Sequence, residues 1–212
     1  MSKYDALVDL LVEVIKENRM AVQADTIPVG ISNRHVHLSQ RDMETLFGKG
    51  YELTKLKDIS QPGQFACKEM LTIAGPRGAI EKVRVLGPIR PESQVEILKA
   101  DCFKLGINAP FKMSGDLDGT PGITLIGPNG SICLPRGVMI ARRHIHMLPE
   151  DARRFGVTDG QIVSIEMIGP RGGTLGNVAI RVTDTSALEC HVDTEEGNAM
   201  NLKNGSPITI VK

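Results

Sequence analysis

"ISNRHVHLSQ", residues 31–40, has a near-twin in "IARRHIHMLP", residues 140–149. The chain holds five histidines, and four of them sit in these two stretches as Arg-His-x-His. Both stretches read as strands. In a strand, residues i and i+2 face one side, so His35 and His37 present two imidazoles together, as do His144 and His146. Val36 and Ile145, between them, should point into a core. The segments downstream of the two pairs repeat as well. A short helix ends in "FG", then come a strand, a "GPRG" turn (75–78 and 169–172) and a further strand. This order predicts an internal duplication of about 90 residues. Each copy reads as a small β-barrel with one or two short helices.

The rest of the chain fits a mainly β fold. From residue 27 onward, short runs such as "MLTIAGPRGAIEKVRVLG" and "GQIVSIEMIGPRGGTLGNVAIRVTD" alternate with Gly, Pro, Asn and Asp turns. "SQRDMETLFGKG" and "LPEDARRFG" predict the short helices, opened by Ser or Pro and closed by Gly. Residues 3–19 carry Leu7, Leu10, Leu11, Val14 and Ile15 at helical spacing. This N-terminal amphipathic helix either packs on the protein's own body or docks in a partner's groove. The predicted organisation is 1–24 helix, 25–115 first barrel and 116–212 second barrel, with C-terminal strands free to exchange between barrels.

Composition bounds the function. Of 212 residues, 41% are apolar, enough for a core, and only 3% are aromatic, with no Trp. Stacking on bases is therefore a poor basis for binding. Lys+Arg and Asp+Glu are both 25, which argues against a general nucleic-acid or anionic-membrane binder. Cys67, Cys102, Cys133 and Cys190 form no CxxC pair, and there is neither a secretory signal nor an apolar run near 18 residues. These features predict a soluble cytoplasmic protein with reduced thiols.

Two His-x-His copies using four of five histidines point to metal. The two pairs, with His191 of "LECHVDTEE" and a carboxylate, can make one or two sites of the three-ligand kind that leaves a position open. The absence of cysteine pairs argues against a closed structural zinc site. In "LGPIRPESQVEI" (86–97), a proline-fixed loop brings Arg90, Gln94 and Glu96 together before a strand. Arg suits bidentate phosphate recognition, and Glu96 is a candidate metal ligand. No GxSxG, P-loop or GxGxxG occurs. The residues thus point to metal-assisted chemistry on an anionic substrate. A zinc hydrolase and a non-enzymatic metal-binding barrel stay open beside a transferase.

"GISNRHVHLS", "VRVLGPIRPESQVEI", "ARRHIHM" and "ECHVDTEEGNA", in that order, closely resemble the phosphate propanoyltransferase family, the phosphotransacylases of bacterial microcompartments. The resemblance runs from about residue 27 to the C-terminus. It implies two barrels with an active site between them, and acyl transfer between coenzyme A and inorganic phosphate. It implies two zinc ions, one on His35, His37 and Glu96, the other on His144, His146 and His191. Arg90 would bind phosphate and, with His144 and His146, serve catalysis. Ile31, Ser32, Asn33, Arg77 and Arg84 would contact coenzyme A, with Arg181, Gln94, Ser114 and Asn198 as further candidates around the site. The expected nucleophile is phosphate itself; the rival is Cys190, beside His191. The resemblance also implies a homo-oligomer and an N-terminal peptide that docks on microcompartment shell or cargo proteins. The acyl chain, propanoyl or acetyl, is left open by a difference of one methylene.

Overall fold

In a computed structural model of the protein, residues 8, 10, 12, 13 and 26–211 are described. The helix expected over 3–19 therefore lies almost wholly outside the described residues. Six strands close into a barrel: β1 (Ile27–Ser32), β11 (His144–Met147), β12 (Ile162–Met167), β13 (Gly173–Val182), β14 (Glu189–Asp193) and β15 (Pro207–Val211), in the order β1-β14-β11-β13-β12-β15. Nine strands form a second sheet: β2 (His35–His37), β3 (Lys55–Asp58), β4 (Phe65–Gly75), β5 (Gly78–Gly87), β6 (Gln94–Glu96), β7 (Phe111–Lys112), β8 (Ile123–Ile126), β9 (Ser131–Leu134) and β10 (Val138–Ala141). Its order is β7-β10-β6-β2-β5-β4-β8-β9, with β3 on β4.

The expectation of two similar barrels is corrected here. The mainly β character holds, but only the second unit closes. The edge strands β7 and β9 of the nine-stranded sheet do not pair with each other. The reason lies in α1 (Gln40–Phe47), against which the "GPNG" turn between β8 and β9 docks. Asn129 donates from its backbone to Leu46 O at 3.0 Å and from its side chain to Phe47 O at 2.7 Å. The sheet thus ends against a helix, which also covers the open edge. The chain crosses between the units as well. β1, from the N-terminal side, pairs with β14 in parallel and with β15 in antiparallel register, completing the barrel. Residues 123–141 supply β8, β9 and β10 to the open sheet.

The repeat is present strand for strand around the histidines. β2 lies between β5, parallel, and β6, antiparallel. β11 lies between β13, parallel, and β14, antiparallel. Each His-x-His strand is thus hydrogen-bonded to a neighbour on both edges. Val36 and Ile145 are fully buried, each in one of two separate apolar cores, as their alternation predicts. Each histidine strand leads into a short helix. Ser39 caps α1, accepting from Asp42 N at 3.2 Å. α3 (Pro149–Phe155) begins on Pro and ends at Gly156 with φ +61°, a left-handed conformation that favours Gly. Two further helices, α2 (Lys99–Leu105) and α4 (Thr194–Ala199), follow β6 and β14, so each half has the second short helix that the sequence allowed but did not place. They are seven and six residues long, too short for an apolar stripe, although Asp193 and Glu196 form a capping box legible in "DTEE". Among the described residues no helix is long and apolar enough to cross a membrane.

Candidate active site with two metal-ligand triads

His35 and Glu96 are register partners across β2 and β6; His144 and His191 are register partners across β11 and β14. A side chain opposite another on one face of an antiparallel pair comes close to it. Each His-x-His therefore gains a third donor from the neighbouring strand. The result is two triads, His35–His37–Glu96 and His144–His146–His191, each with its ligand atoms within 4.8 Å of one another. Both line one cleft of about 410 Å³ between the sheet and the barrel.

The donors suit a divalent ion. His35 Nδ1 lies 2.8 Å from Asn33 O, and His144 Nδ1 lies 2.8 Å from Arg142 O. A carbonyl only accepts, so both Nδ1 atoms carry hydrogen and Nε2 is the nitrogen left to face a cation. Burial would lower His35, but Glu96 outweighs it and raises it, so a cation there would displace the Nε2 proton. His144 Nε2 faces His146 Nε2 at 3.0 Å. Burial, then the neighbouring imidazoles, pushes His144 down to about 4 and His146 down to about 2, so both are neutral ligands at neutral pH. His37 is likewise lowered by burial and by His35, to about 3. The first triad carries an anion. Burial would raise Glu96, but His35 at 3.3 Å and His37 outweigh it and hold the carboxylate well below its usual range. A buried carboxylate facing two imidazoles, and three imidazoles facing one another, both fit a cation of the zinc type.

Arg90 stands over the first triad. Its backbone N donates to Leu38 O at 2.9 Å, which pins the proline-fixed loop to the end of β2. Its guanidinium donates to Ser114 Oγ at 2.9 Å, which also accepts from Gln94 Nε2 at 2.8 Å. Gln94 donates in turn to Glu96 Oε1 at 2.7 Å. Arg90, Arg142 and Arg181 all line the cleft, and among the described residues none of the three forms an ion pair. Guanidinium groups with no carboxylate partner in a cleft favour an anionic ligand.

The other expected positions divide. Ser32 lines the cleft, and Asn33 lines a small cavity beside it with His35 and Glu96. Ile31 packs against Gly197, and its N donates to Asn204 Oδ1 at 2.8 Å. Arg84 donates to the Cys67 and Lys68 carbonyls of its own sheet, while Arg77 and Asn198 are exposed. These four do not line the cleft. Cys190 is fully buried in the barrel opposite Ile145, and burial pushes its thiol up to about 12. Gln61 was not foreseen. Its side-chain amide pairs with both Ala187 N (3.2 Å) and Ala187 O (3.1 Å), closing the 59–64 loop over the cleft. Nothing local in "ISQPGQ" marks it, because its partner lies 126 residues away.

The sequence profile of the family described as phosphate propanoyltransferase matches residues 28–203. Among curated relatives of that description, one from Thermotoga maritima is 57% identical over 187 residues, covering 88% of this chain and 89% of the relative. One from Rhodobacter capsulatus is 51% identical, covering 98% of each chain. One from Enterococcus faecalis is 45% identical over the whole of both chains. The protein belongs to the phosphate propanoyltransferase family of acyltransferases.

Proposed function

We propose that this cleft transfers a short acyl group, propanoyl or acetyl, between coenzyme A and inorganic phosphate, with phosphate attacking the thioester directly. The observation that carries the reading is the meeting, in one cleft, of two triads of metal-ligating side chains and three arginines that form no ion pair among the described residues. The family name of the relatives agrees with it.

Zinc held by His35, His37 and Glu96 and by His144, His146 and His191 would supply Lewis acids for the thioester and its leaving thiolate. The chain's own groups supply the rest. Arg90, oriented by Ser114, holds phosphate by charge-assisted hydrogen bonds, and Arg181 and Arg142 add positive charge where negative charge develops. Ile59 and Leu86 form apolar walls of the cleft, which limit water. Ser32, the last residue of β1, and Asn33 just after it would meet coenzyme A; Ser32 lining the cleft and Asn33 lining the cavity beside it support this. An acyl-enzyme route has little support: Cys190 is sealed in the barrel core and its thiol is far from ionised at neutral pH.

Residues 1–24 would direct the enzyme into a bacterial microcompartment. The catalytic reading is tested by following coenzyme A release from propanoyl-CoA and acetyl-CoA with and without phosphate, while assaying acyl phosphate and bound metal on the same sample. Release that requires phosphate and yields acyl phosphate is expected. Equal release without phosphate overturns it in favour of a hydrolase.

A further inference from the structure

Each histidine strand is preceded by an arginine whose partner repeats across the two halves. Arg34, next to His35, donates from Nε to Asp101 Oδ2 at 2.7 Å. The same oxygen accepts from Leu98 N at 3.0 Å, two residues past Glu96. In the other half, Arg143, next to His144, donates from Nε to Glu196 Oε1, and Glu196 Oε2 accepts from Asp193 N at 3.1 Å, two residues past His191. One carboxylate thus ties the residue before the first ligand of a triad to the residue just beyond its last ligand. The tie spans the two strands on which His35 faces Glu96 and His144 faces His191.

Helix capping alone does not account for this. Asp101 and Glu196 each cap their own short helix through a backbone N–H, and that bond needs no arginine. The helices differ in sequence, "KADCFKL" against "TEEGNA", and the acids differ in length, yet both halves add the arginine. Asp101 is buried, so its charge needs a partner, and Arg34 meets it from the ligand strand. The arginine also fixes the chain at the carbonyl that orients the imidazole: Asn33 O precedes Arg34, and Arg142 O precedes Arg143. The two helices that carry the carboxylates also meet, with Ala100 N of α2 donating to Glu195 Oε1 of α4 at 3.0 Å, but no bond joins one tie to the other.

We infer that Arg34–Asp101 and Arg143–Glu196 are paired clamps whose arginines are positioning residues, each holding the geometry of the metal triad in its own half. The inference rests on the reading of the triads as metal sites. Groups just outside the ligands that orient them typically alter metal affinity by about 10- to 100-fold when removed.

The test uses the full chain, loaded with zinc, dialysed and titrated with a chromophoric chelator. Wild type, Arg34→Ala, Arg143→Ala and the corresponding Lys variants are compared, with melting temperatures of the metal-free proteins alongside. Wild type should release two classes of tightly held zinc. Each Ala variant should loosen one class by about 10-fold or more and leave the other unchanged, and Lys should restore part of the loss. If an Ala variant does not fold, its Lys variant and Asp101→Asn carry the comparison. Two zinc ions held as tightly in the folded variants as in wild type overturn the clamps. So does equal loosening of both ions in step with a lowered metal-free melting temperature, which marks a merely structural role. Wild type that binds no zinc overturns instead the metal reading on which the clamps depend.

Discussion

Glu96 and His191 occupy the same station of a repeated strand pair: Glu96 faces His35, and His191 faces His144, each in antiparallel register. One half of the repeat thus offers two imidazoles and a carboxylate, the other three imidazoles. The same backbone device presents two donor sets of different charge, which would give the two sites different affinities for a divalent ion.

Glu96 is the one anion of the two triads. Glu96→Gln should therefore release the ion of the first site and reduce kcat/KM by on the order of 100-fold or more. Glu96→His, which copies the second site, should keep metal in both. Metal analysis of the two variants checks the assignment; full metal content in Glu96→Gln removes Glu96 from the ligands.

Arg90 reaches the cleft with a side chain tied only to Ser114 among the described residues. Arg90→Ala should raise the phosphate KM by about 10- to 100-fold, the worth of one or two hydrogen bonds to a charged group. The acyl-CoA KM should move much less. Initial rates over a phosphate series decide it, and an unchanged phosphate KM counts against Arg90 as the phosphate residue.

Cys190 sits opposite Ile145 in the barrel core with no exposed surface. Cys190→Ala should leave turnover within about twofold and lower stability by on the order of 1 kcal/mol, the cost of a small buried cavity. Steady-state rates with a thermal melt check both parts. Near-complete loss of activity with metal retained would mean an acyl-cysteine intermediate.

Gly30 lies against the Glu189 carboxylate, which is 2.5 Å from His191 Nε2 and also bonded to Ser60. A Cβ at residue 30 would stand 2.6–2.8 Å from that carboxylate. Gly30→Ala should push Glu189 away from His191 without disturbing β1, because the end of a long side chain yields first. The expected result is a melting temperature close to wild type and second-site metal held about 10-fold less tightly. Chelator competition reads the second effect; unchanged retention shows that Glu189 does not support His191.

Removal of residues 1–24 should leave the phosphate-dependent rate intact and abolish uptake into microcompartments. A truncated protein that no longer folds would show instead that the segment packs on the protein's own body.

Much of the site was legible because it depends on local spacing. His-x-His fixes two donors on one face of any strand, and the second copy made the pattern a device rather than an accident. Val36 and Ile145 were placed in the cores by the same alternation. The turn sequences marked where strands end, and Ser39 and Gly156 marked helix limits. Glu96 and His191 were found as chemistry of the right kind nearby, with their grouping supplied by family resemblance. The closure of each unit was not legible. Whether β9 meets β7 or stops against α1 depends on Asn129 finding the Leu46 and Phe47 carbonyls, 82 residues away for the side-chain bond. Nor could the chain announce that Gln61 would lock onto Ala187, or that Arg34 and Arg143 would find Asp101 and Glu196. Spacing along the chain sets which face a side chain takes, and that the sequence determined alone. Which strands become neighbours, and in what register, is a matter of packing two cores at once, and only the tertiary structure decided it.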